Sequence, residues 1–82
     1  MRVRVDKSLV MEVESVQLSR TDANDTIIVF KALSSEVNDP YIEFMFSEGT
    51  TLEDAEKICE PMMNNLLEKG YADFSEIDLE IL

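Results

Sequence analysis

The chain has 82 residues, with 18 acids against 7 bases, no histidine, and a formal net charge of −11. That length makes one small domain (residues 1–82) with a thin core, and 45% hydrophobic residues with two Gly and two Pro is globular rather than disordered composition. A single Cys excludes an internal disulfide, the lack of His removes Cys/His zinc spacings, and no apolar run reaches the length of a membrane span or signal peptide.

Residues 1–5 alternate Val3 and Val5 with Arg2 and Arg4, as a short strand does. A three-residue turn at Asp6, Lys7 and Ser8 then sets Val5 across from Leu9, Val3 across from Met11 and Arg2 across from Glu12. A two-residue turn mixes charge into the apolar face. A single unbroken edge strand is the alternative. Over residues 9–18 the apolar set changes phase, with Leu9, Met11 and Val13 on one parity and Val16 and Leu18 on the other. One extra residue near Glu14 or Ser15, a β-bulge, returns both sets to one face.

Residues 20–25, RTDAND, are turn formers that close a hairpin. Asp22, Asn24 and Asp25 only superficially suggest a calcium loop, because the glycine is missing and the twelfth position is Leu33. Residues 26–33, TIIVFKAL, are β-branched and apolar on both parities, which suits a central strand. A loop over residues 34–40 leads to a strand at 41–47, with Ile42, Phe44 and Phe46 facing the core.

Residues 50–71 form the long helix. Thr50 with Glu53 reads as a capping box, and Glu53, Asp54 and Glu56 suit the positive N-terminus. Leu52, Ala55, Ile58, Cys59, Met62, Met63, Leu66 and Leu67 recur at helical spacing. The stripe stays in phase across Pro61, so one kinked helix is expected, ending at Gly70 after Lys69. Residues 72–82 alternate Ile77, Leu79 and Ile81 inward with Glu76, Asp78 and Glu80 outward, as a last strand. The expected fold is α+β: two layers in β(β)ββαβ order, a four- to five-stranded antiparallel sheet with one helix on one face.

The charge is uneven. Residues 1–35 carry five acids and five bases, while residues 36–82 carry thirteen acids and two bases, Lys57 and Lys69. Direct binding to nucleic acid is disfavoured, since it needs clustered Lys and Arg. No motif points to catalysis, a cofactor or a metal. Cys59 has no His to activate it and, with Met62 and Met63, fits a core role. The carboxylates fall in no evident pocket, and so small a domain has little room for a cleft.

Two surfaces remain. The acids Glu43, Glu53, Asp54, Glu56, Glu76, Asp78 and Glu80 are candidates for docking on a basic surface of a partner protein. In its sharpest form that partner binds nucleic acid and the carboxylates occupy its phosphate sites, as in small acidic DNA-mimic inhibitors of phages and mobile elements. With Ile28, Phe30 and Ala32 inward, Ile27, Val29, Tyr41 and Met45 form the apolar centre of the uncovered sheet face. Around them stand Lys31, Glu12, Glu14, Glu43, Glu76, Asp78 and Glu80. That face serves a partner or a homodimer, and in the latter case acidity serves solubility alone. The expectation is a soluble, cytoplasmic, non-enzymatic protein.

Overall fold

A computed structural model describes residues 1–33 and 39–82, so most of the loop expected at 34–40 lies outside the described residues. Six strands and one helix follow in order: β1 (Arg2–Arg4), β2 (Val10–Arg20), β3 (Thr26–Ala32), β4 (Tyr41–Phe46), α1 (Leu52–Lys69), β5 (Tyr71–Asp73) and β6 (Leu79–Ile81). The fold is α+β with one helix. Its sheet is mixed and six-stranded, in the order β5-β1-β2-β3-β4-β6, rather than four- or five-stranded and antiparallel.

The turn between β1 and β2 has the three-residue register: Arg2 faces Glu12, Val3 faces Met11, and the Val5 N–H donates to the Leu9 carbonyl at 2.9 Å. The β2–β3 register shifts between Val13 and Ser15, which places the bulge where the apolar phase changes. After it, Val16 and Leu18 face the same interior as Val13, opposite Phe30 and Ile28. The bulge bends this long strand so that its first half pairs with β1 and its second with β3. Asn24 takes the left-handed conformation in the hairpin between β2 and β3, a position Asn tolerates well.

Residues 72–82 do not form one strand. β5 pairs parallel with β1 at one edge of the sheet, and β6 pairs antiparallel with β4 at the other. The link between them, residues 74–78, contains a turn in which the Ile77 N–H donates to the Phe74 carbonyl at 3.1 Å. In a flat six-stranded sheet the outer strands lie about 24 Å apart, too far for a five-residue link that also turns. The sheet therefore curls until its two edges approach each other. Phe74 fills the space so enclosed, fully buried and edge-on to Phe30 with centroids 5.3 Å apart. Phe44 meets Phe30 from another side at 5.8 Å.

The helix lays Ala55, Cys59 and Leu66 into this interior, with Met62 and Met63 packed against it. Ile58 and Leu67 of the expected stripe are instead exposed. The N-cap is Thr51, one residue later than expected: its hydroxyl accepts from the Asp54 N–H at 3.0 Å, and Asp54 reaches back to the Thr51 N–H. Thr50 belongs to the preceding turn. Its N–H bonds to the Ser47 carbonyl, and its own carbonyl accepts the hydroxyl of buried Thr26 at 2.7 Å. The helix runs unbroken through Pro61 to a left-handed C-cap at Gly70. The Gly70 carbonyl then accepts the Arg2 N–H at 2.8 Å, which leads the chain straight into β5 beside β1.

Candidate functional site

All seven carboxylates singled out in the sequence, Glu43, Glu53, Asp54, Glu56, Glu76, Asp78 and Glu80, are exposed. The fold brings most of them to one side. Asp78 and Glu80 share a depression of about 150 Å³ with Glu48, at the end of β4. Glu48 also lines a second depression, of about 440 Å³, with Asp54 and Lys57 at the start of the helix. Lys57 in turn lines a third, of about 530 Å³, with Glu53, Glu56 and Glu60. An acidic band thus runs from β6, past the helix N-terminus and along α1, with Lys57 the one cation among the residues lining these depressions.

Charge compensation on this band is slight. Glu53 lies 3.6 Å from Lys57 in an exposed pair, while Arg2–Glu12 at 3.0 Å and Lys31–Glu14 at 3.4 Å lie on the charge-balanced first half. Among the described residues, no cation stands within 4.0 Å of Glu43, Asp54, Glu56, Glu76, Asp78 or Glu80. Glu48 and Glu60 belong to the band and were not singled out. Glu60 follows Glu56 at helical spacing and was legible in principle, whereas Glu48 joins only because the turn after β4 lies beside β6. Glu76 and Asp78 sit in the link between β5 and β6, not on the exposed side of a strand, because the chain turns at Phe74. Glu43 stands opposite Val29 on the outer sheet face, the face that Glu80 shares opposite Met45, but it lines none of the three depressions.

The outer face is less apolar than expected. Ile27 is only 6% exposed yet stands outside the core cluster, flanked across the strands by Ser19 and Met45. It is therefore not available for contact. Val29 and Met45 are half-buried and Tyr41 is 51% exposed, with the Lys31 ammonium 5.9 Å from its ring centre. The same lysine reaches Glu14. The exposed apolar content of this face reduces to a short row.

Cys59 is fully buried, and burial pushes its thiol up to about 11, which keeps it protonated and unreactive near neutral pH. Among the described residues, no group of three or more acids and Cys is placed to hold a metal, and no helix is long and apolar enough to cross a membrane. Comparisons with protein families, characterised proteins and solved structures find no match to this chain.

Proposed function

We propose that this chain is a non-enzymatic interaction protein whose acidic second half docks on a basic surface of a partner protein. The observation that carries this reading is the continuous acidic band from Glu80 through Glu48 and Asp54 to Glu60, with Lys57 as its one lining cation. Carboxylates held on a folded surface attract and orient a basic partner, and the attraction weakens as salt screens it over about 8–10 Å. In its sharpest form the partner binds nucleic acid, and the band occupies sites built for phosphates. The test is capture of the partner from the native cell over a salt series. The wild-type protein retains it at low salt and releases it at high salt, and changing Glu76, Asp78 and Glu80 together to Lys abolishes retention.

A second reading is a homodimer closing through the outer sheet face, with acidity serving solubility. Exposed Tyr41 beside half-buried Val29 and Met45 favours it. Light scattering separates the two, since this reading requires a dimer that Val29→Glu dissociates.

A further inference from the structure

Among the described residues, the second half of β2 has a partner on one side only. β1 pairs with residues 10–12 and the ladder ends at Met1, whose carbonyl accepts the Val13 N–H at 2.7 Å. On the other side β3 pairs as far as Arg20, opposite Thr26. Among the described residues, nothing pairs with the remaining edge of residues 15–20. In an antiparallel ladder alternate residues turn their N–H and C=O groups to opposite sides, so about half of those groups face away from β3. Such an edge is a template for another strand.

A groove lies between this edge and α1. Leu18 lines its wider part with Glu56, Glu60 and Met63, and Val16 lines its narrower part, of about 290 Å³, with Met63 and Leu67. Leu67 is 85% exposed, the most open large apolar side chain among those described. The floor is therefore apolar at the Met1 end, and the rim is acidic at the other. Glu14 and Glu53 also border it but are already paired with Lys31 and Lys57, whereas Glu56 and Glu60 have no ion pair among the described residues.

We propose that the free edge of β2 is a strand-addition site for an extended basic segment of the partner protein, laid in the line of β1. This rests on the reading of the chain as an acidic interaction protein and says where and how the partner binds. A helical segment leaves the edge groups unbonded, because its own backbone is satisfied internally. An added strand satisfies them and points alternate side chains toward α1. The side chain beside Val16 is apolar and meets Met63 and Leu67; the one beside Leu18 is basic and meets Glu56 and Glu60. A second copy of this chain pairing β2 with β2 brings two sets of these glutamates together, and their repulsion disfavours it.

The test uses the full chain labelled with nitrogen-15 and two probes: the hexapeptide Thr-Thr-Lys-Thr-Val-Thr, which laid antiparallel to residues 15–20 sets its Lys beside Leu18 and its Val beside Val16, and the same peptide N-methylated at the alternate amides that face β2. The unmethylated peptide is expected to shift and protect amides within residues 15–20. N-methylation, which keeps charge and side chains but removes the donors that face β2, weakens binding about tenfold or more. The double change Glu56→Lys and Glu60→Lys, at exposed helix positions, weakens it similarly. Equal binding of both peptides, or shifts confined to Glu48, Asp78 and Glu80, overturns the edge site while leaving the acidic-surface reading intact. No binding of the hexapeptide at low salt overturns it too, and the broader reading then stands or falls on partner capture alone. A dimer whose residues 15–20 are protected without peptide assigns the edge to a second copy and also overturns the proposal.

Discussion

Phe74 meets Phe30 edge to face, 5.3 Å between ring centres and 77° between planes. The contact joins the link between the two sheet edges to the central strand, and so holds the curl of the sheet. Phe74→Leu keeps an apolar filler but loses the aromatic pair, and is expected to cost about 1–2 kcal/mol in urea unfolding. Phe74→Ala costs about 3–5 kcal/mol, most of the stability of a domain this small, and leaves much of it unfolded at 37 °C. An unchanged unfolding midpoint for either variant contradicts the closure described.

The N-cap assignment separates two adjacent threonines. Thr51→Ala removes the hydroxyl that accepts the Asp54 N–H and is expected to cost about 1 kcal/mol. Thr50→Ala removes a hydroxyl bonded only to Ser47, and costs about 0.5 kcal/mol or less at this exposed site. Chemical denaturation of both variants under one set of conditions decides the order.

The Cys59 thiol, raised by burial to about 11 from 9.0, is protonated in the folded protein at pH 8. A thiol reagent labels it only through unfolding, so labelling is slow in the native range and its rate rises along the urea transition. The linked pH effect has a definite sign. The folded state holds its proton between about 9 and 11 while the unfolded state has lost it, so stability from this group falls as pH rises through that window. Cys59→Ala removes that component, seen as a flatter alkaline limb of the stability curve.

Asp6 is exposed, and its carboxyl accepts the Ser8 N–H at 2.7 Å and the Ser8 hydroxyl at 3.0 Å. These bonds hold it below the usual 3.8, the backbone bond first and the hydroxyl second. What they contribute is present above the unfolded value and is lost as pH falls through the lower folded one. Ser8→Ala removes the hydroxyl bond and leaves the backbone one, so the Asp6 titration followed by carboxyl NMR moves part of the way back toward 3.8.

Apolar phase made much of the sheet legible in the sequence. The turn length between β1 and β2 and the bulge in β2 both follow from keeping one set of side chains on one face. The same signal stands between Phe74 and Ile77, where the buried parity changes, and Asp73, whose carboxyl accepts the Ser75 N–H at 2.8 Å, marks the turn there. A single strand over residues 72–82 overlooks that change. The burial of Ile27 was not legible, because it depends on neighbours across two strands, Ser19 and Met45. The acidic residues could be named from the chain, but their grouping needed the turn at Glu48 to lie beside β6, a tertiary fact.

The most direct test of the acidic band is the salt dependence of partner affinity in paired form. Titrating the captured partner with the wild-type protein over a salt series gives the slope of log Kd against log salt, and the triple change of Glu76, Asp78 and Glu80 to Lys is titrated beside it at each salt. The account predicts wild-type binding that weakens about tenfold or more between low and high salt, and no measurable binding for the triple variant at any salt. Wild-type affinity that ignores salt, or a triple variant that binds as tightly as the wild type, contradicts it.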